Sequence, residues 1–195
     1  MRTSTIRTGL AAALILVAGC DQAGTPAGDT ATTDNVSVSE NATEAAGNST
    51  IAQGIEGSAS DSKFVAAAKS VGLDKTLAGP GPYTVLVPND AAFDKMPAGA
   101  VDNLMKPESR AQLTGVLTYH ILPGTILAAD IDKAIENGKG KAVLATMGGA
   151  TLTATKEGDT ITLTDAAGTK ATVTGADDQR SNGVVHRIDA VLMPS

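Results

Sequence analysis

The sequence predicts an α+β domain, and three observations carry that reading. Helical stretches with core-spaced apolar residues lie in the first half, short alternating segments separated by glycine turns fill the second, and a continuous apolar run closes the chain. The 195 residues leave room for one ordinary domain plus unstructured extras. Aromatics are 2% and Trp is absent, while Ala, Val, Leu, Ile and Thr are plentiful, so the core is one of small and β-branched aliphatics. Such a composition offers few stacking platforms for sugars, bases or flavins.

In chain order, the folded region starts near Ile51. From Asp61, residues Phe64, Ala67, Ala68 and Val71 share one helical face, and Gly72 stops that helix. Gly79-Pro80-Gly81-Pro82 is a turn, after which Tyr83-Thr84-Val85-Leu86-Val87 reads as a strand ended by Pro88. Asn89 is placed to cap a short helix, where Asp90 complements the positive end of the dipole and Phe93 faces inward. Pro107 opens a longer helix with Leu113, Val116, Leu117 and His120 at core spacing, and Pro123-Gly124 is the next turn. Beyond Asp130 the texture becomes strands over residues 142–146, 151–155, 160–164 and 171–174. In Thr160-Ile161-Thr162-Leu163-Thr164 one face is apolar and the other hydroxylated, which predicts a solvated outer face. Residues 183–192 are apolar enough for a central strand. Helices first and a mostly antiparallel sheet later define the class.

The N-terminus has a different character. Arg2 and Arg7 precede the apolar run Leu10 to Val17, which is followed by Ala18, Gly19 and the single cysteine, the anatomy of an export signal. That run is too short for a membrane-spanning helix, which needs about 20 residues. Leu16-Val17-Ala18-Gly19-Cys20 resembles the lipobox of bacterial lipoproteins, which implies cleavage before Cys20 and lipidation of its thiol. The expected organisation is a signal peptide over residues 1–19, a lipidated Cys20 with a tether to residue 50, and one domain over 51–195. Residues 21–50 contain no Lys, Arg, Leu, Ile or aromatic residue and cannot bury enough surface to fold. As a flexible coil they span roughly 30 Å. Asn41 and Asn48 head formal glycosylation triplets, but in so Asn- and Thr-rich a linker the match carries no weight.

Charge excludes one partner class. The formal net charge is −6, and losing Arg2 and Arg7 leaves 13 basic against 21 acidic residues, or −8. Nucleic acid is therefore not an expected partner, and contact with membrane is expected through the lipid anchor only.

Three segments resemble the fasciclin (FAS1) domain family. They are Tyr83-Thr84-Val85-Leu86-Val87-Pro88-Asn89-Asp90-Ala91-Ala92-Phe93, then Leu117-Thr118-Tyr119-His120-Ile121-Leu122-Pro123-Gly124, and finally residues 182–192, with Asn182, Gly183, His186 and Asp189 as the polar and glycine landmarks. The resemblance implies a β-wedge of two small sheets with helices packed around it, and a role in adhesion or extracellular protein contact. It implies no catalytic residues. Asn89 stands where the family often has Thr, and Arg187 stands where an apolar residue is usual, which marks Arg187 as an exposed or partner-facing position.

The residues themselves agree with a non-enzymatic, cofactor-free domain. His120 and His186 are the only imidazoles, and each lies in an apolar run, as expected of core histidines hydrogen-bonded to backbone or to a neighbour such as Tyr119. A metal site would need further ligands, and no close His or Cys cluster supplies them. Asp130, Asp132 and Glu136, like Asp177 and Asp178, fit a loop or helix end rather than a calcium loop. Gly148-Gly149 and Gly138-Lys139-Gly140-Lys141 are turns without phosphate-loop spacing, and no Arg-Gly-Asp tripeptide occurs. The expected function is a membrane-anchored extracytoplasmic module that contacts an envelope or extracellular protein or another cell-surface component, facing the periplasm or the cell exterior. The alternative is a periplasmic carrier of a small molecule or pigment, held in an aliphatic crevice between helices and sheet.

Overall fold

A computed structural model describes residues 47–194. The signal-like segment, Cys20 and the tether as far as residue 46 lie outside the described residues.

The Thr50 hydroxyl accepts from the Gln53 N–H, and the Gln53 amide oxygen accepts from the Thr50 N–H at 2.9 Å, so Thr50 caps helix α1 (Ile51–Glu56). Helix α2 (Ser62–Val71) carries Phe64, Ala67 and Ala68 inward and ends at Gly72, whose φ of 81° costs a residue without a Cβ little. A second helix, α3 (Leu73–Ala78), starts there and buries Leu77, where the sequence pattern leads straight to a turn. Strand β1 (Tyr83–Pro88) is followed by α4 (Asp90–Asp94), which Asn89 caps through its side-chain oxygen to Ala92 N–H at 2.8 Å, and by α5 (Ala100–Leu104). Pro107 opens a 3-10 turn (Pro107–Ser109) rather than the helix itself, and α6 (Arg110–Tyr119) follows.

Like α1, α3 and α5, two further elements have no counterpart in the sequence pattern. Strand β2 (Ile121–Pro123) has three residues, and helix α7 (Ala128–Asn137) shows only Ile131 and Ile135 buried in a charged stretch. One i, i+4 pair is too short a signal for periodicity to register. Strands β3 (Ala142–Ala145), β4 (Thr151–Glu157), β5 (Thr160–Thr164) and β6 (Lys170–Arg180) follow as expected, with β6 longer than predicted. Strand β7 (Gly183–Ile188) stops short of Leu192, because the Asp189 N–H turns to the Thr172 carbonyl.

The seven strands are hydrogen-bonded in the order β2-β1-β7-β6-β5-β4-β3. All neighbours are antiparallel except β1 and β7, so the closing run is indeed central. Strand β6 belongs to two sheets: Lys170 to Thr172 pair with β5, while its later residues pair with β7 across two register shifts near Gly175. Such bulges bend a strand, and this one folds the surface into a wedge of two small sheets.

Strand β1 separates two apolar clusters. Val85 and Val87 face the helices with Phe64, Leu77, Leu113 and Leu117, whereas Leu86 faces the sheet interior with Tyr119, Ile131, Leu163 and Ile188. Burial on both sides explains why β1 and β7 read as continuous apolar runs. In β5, Ile161 and Leu163 are buried, but Thr162 and Thr164 are half-buried rather than solvated.

Candidate functional site

The three motif segments, far apart in sequence, are three adjacent strands with their flanks. The register sets Val85 opposite Ile121 on β2 and opposite Val185 on β7, while Tyr83 meets Gly183. The segment after Pro88 is tied down when Asn89 N–H donates to the Ile188 carbonyl at 3.1 Å.

Asn182, in the β6–β7 turn, is a three-way tie. Its oxygen accepts from the Ile51 N–H at 2.8 Å, and its amide donates to the Leu77 carbonyl at 2.8 Å and to the Gly79 carbonyl at 2.7 Å. The turn thus holds the start of α1 and the end of α3 at once. Gly183 has φ of 153°, and a Cβ there would sit 1.9 Å from the Tyr83 carbonyl oxygen, so the parallel β1–β7 contact requires glycine.

Both histidines are spent on backbone groups. His120, 1% exposed at the end of α6, has Nδ1–H donating to the Val116 carbonyl at 2.8 Å, and its Nε2 accepts from Leu192 N–H at 3.1 Å. Burial pushes its pKa down to about 4, against smaller opposing effects of the Val116 bond and of Asp165, so the ring is neutral at pH 7. Tyr119 meets the ring edge-on and sends its hydroxyl to the Thr151 carbonyl at 3.0 Å instead. His186, fully buried, donates from Nε2 to the Ile126 carbonyl at 2.8 Å, and its Nδ1 accepts from the Asp177 N–H at 3.2 Å. Asp177 in turn accepts from the Ala128 N–H at 2.8 Å, which fixes the start of α7.

The carboxylates of the motifs are also engaged. Asp90 reaches across from its own helix to accept from Ser62 at 2.6 Å and from the Lys63 N–H at 2.8 Å, bracing the start of α2. Partial desolvation works to raise its pKa, but these bonds and the Lys63 charge outweigh it and the pKa is lowered. Asp189 accepts from the Thr172 N–H at 2.6 Å and pairs with Lys95 at 3.1 Å; here too desolvation is overcome and the pKa falls.

Arg187 corrects the expectation of an exposed, partner-facing residue. Its Nε lies 3.0 Å from Asp61, which is fully buried, and its guanidinium also reaches Asp178 at 3.2 Å. Burying Asp61 demands a fixed cation, and Arg187 supplies it from the central strand β7. Sequence reasoning also misses Asp165, which accepts from Thr169 N–H at 2.8 Å and Met193 N–H at 2.9 Å and so pins the C-terminal segment. A lone Asp before a turn gives no sign of such a contact.

Among the described residues no group of three or more His, Cys, Asp or Glu side chains is placed to hold a metal ion. An apolar crevice does exist, between α2, α5 and α6, with Phe64, Leu104 and Leu117 among its walls and a cavity volume of about 20 Å³. That is room for about one water, far below an ordinary ligand pocket.

Comparisons with known proteins bear on the same segments. The fasciclin domain family matches residues 60–194. Protein sll1483 of Synechocystis sp. is 38% identical over 157 residues, which cover 80% of this chain and 79% of that protein. The cell surface glycolipoprotein MPB83 of Mycobacterium bovis is 36% identical over 124 residues, 64% of this chain and 49% of that protein. Among solved structures, a FAS1 domain pair from the insect cell adhesion molecule Fasciclin I superposes with a TM-score of 0.66 at 19% identity, covering 74% of this chain and 51% of the other.

Proposed function

Because the chain belongs to the fasciclin domain family, we propose that it is a non-catalytic contact module, held to a bacterial membrane through lipid on Cys20 and presenting its domain to an envelope or extracellular protein or another cell-surface component. The observation that carries this reading is the use of the polar landmarks of the motifs for internal ties: His120, His186, Asn182 and Asp189 all hold backbone in place. Side chains committed in this way build a rigid body whose offer to the outside is its surface. The names of two similar proteins, a cell surface glycolipoprotein and a cell adhesion molecule, support the same reading. The lipobox-like residues before Cys20 support the anchor, and the tether holds the domain off the bilayer.

Two measurements test it. Intact mass and membrane fractionation of the wild type beside Cys20→Ser are expected to show lipid on Cys20 and release of the variant; an unmodified, soluble wild type would remove the anchor from the proposal. Beads carrying the full chain are expected to retain envelope or cell-surface components after cross-linking, and binding equal to that of bare beads would defeat the contact role.

A further inference from the structure

Strands β1 and β7 run parallel, so the domain has two distinct ends. The entering chain is fixed at the end where both strands start: the Ser181 N–H donates to the Ser49 carbonyl at 3.0 Å, and Arg180 Nη1 donates to the Ser49 hydroxyl at 2.8 Å. Roughly 17–20 Å further along the strands, the chain passes from β1 into α4 and from β7 toward Met193. A small third apolar cluster lies at that far end. Ala92, Val116 and Val191 are its buried part, and Phe93, Met96 and Met193 are only partly covered.

Two open clefts flank this cluster and share Met96 and Pro97. The larger, of about 390 Å³, has Ala92, Met96, Ala100, Val191 and Met193 among its walls and Lys95 as its one charged residue. Lys95 is already paired with Asp189. The smaller, of about 290 Å³, sets Asp94 and Asp102 against a single cation, Lys63, which pairs with Asp94. One cleft is thus apolar and walled by methionine, whose thioether packs well on aromatic rings. Its neighbour carries one negative charge in excess.

Nothing in the chain itself complements this pair of clefts. Its four aromatic residues, Phe64, Tyr83, Phe93 and Tyr119, are buried or half-buried, and it has no Trp, so a second copy has no exposed ring to insert. Residues 21–46 contain neither an aromatic residue nor a cation. We propose that the far end seats a partner peptide in which an aromatic residue adjoins Lys or Arg, with the ring in the methionine-walled cleft and the cation on Asp102. The inference rests on the contact role proposed above and gives its partner a chemistry. Aromatic and Arg anchors supply most of the energy at protein interfaces, and here they come from the partner. A partner seated at this end also leaves the entering chain at Ser49 undisturbed.

Because the chain has no Trp, the emission of a Trp-containing peptide reports its own burial. The probe is acetyl-Gly-Ser-Trp-Lys-Ser-Gly-amide, titrated with the full chain carrying Cys20→Ser, beside the same peptide with Glu for Lys and with Ala for Trp. A saturable blue shift is expected with the Trp-Lys peptide, roughly tenfold weaker affinity for Trp-Glu at low salt, and no competition from the Ala peptide. Asp102→Lys, at an exposed position, is expected to reverse the preference between Lys and Glu. Ala100→Gln is expected to weaken both Trp peptides roughly tenfold by filling the cleft, and unaltered urea midpoints check that both variants fold. No saturable shift with the Trp-Lys peptide, or a charge preference untouched by Asp102→Lys, overturns the assignment. Retention of envelope components on wild-type beads without peptide binding would refute this surface alone, whereas no retention at all would remove the contact role with it.

Discussion

Replacing Asn182 by Ala removes three hydrogen bonds at the point where the β6–β7 turn holds α1 and α3. The Ile51 N–H belongs to a fully buried residue and is left without its acceptor, while the Leu77 and Gly79 carbonyls lose a donor each. At about 1 kcal/mol net for each carbonyl bond, plus about 1–2 kcal/mol for the stranded N–H, the expected loss is roughly 3–4 kcal/mol. For a domain of this size that corresponds to a fall in Tm of roughly 6–16 °C. Urea unfolding followed by circular dichroism measures it, with a lower midpoint and an unchanged slope as the expected result. Asn182→Asp adds a sharper test. It keeps the acceptor for Ile51 but sets a carboxylate against two carbonyls, so at neutral pH it is expected to destabilise more than Ala and to recover in part as acid protonates it. A loss below about 1 kcal/mol for Asn182→Ala would refute the tie as a stabilising element.

Further outcomes follow from the other buried polar groups. The folded-state pKa of His120 is about 4, below its ordinary 6.5, so its contribution is fully present above pH 6.5 and declines as pH falls toward 4. This amounts to about 3 kcal/mol across that window; unfolding midpoints against pH are expected to show the decline in the wild type and a flatter profile in His120→Gln. Arg187→Met leaves the Asp61 carboxylate buried without its cation and is expected to cost about 3–5 kcal/mol, largely recovered when Asp61→Asn is added; thermal unfolding of the single and double variants measures the coupling. Gly183→Ala places a Cβ against the Tyr83 carbonyl at a strained backbone angle, and is expected to abolish the cooperative transition or to lower the yield of folded protein sharply. Wild-type stability in the Gly183→Ala variant would mean that β1 and β7 can separate without penalty.

The class of fold and the central place of the closing strand were legible in the amino-acid order alone. Those features rest on local chemistry: the Gly72 stop, the Asn89 cap, the alternation in residues 160–164 and the two-sided apolar runs of β1 and β7 each declare themselves within a few residues. Motif resemblance reached further and named the family, because it reads patterns whose physical cause lies elsewhere in the chain. What those patterns are for emerged from the folded chain. That Asn182 ties two helices, that His120 receives the Leu192 N–H, and that Arg187 turns inward to Asp61 are contacts across 72 to 131 residues of chain. Helix α7 and strand β2 stayed hidden for a related reason, since their stability comes from packing on the sheet rather than from propensity.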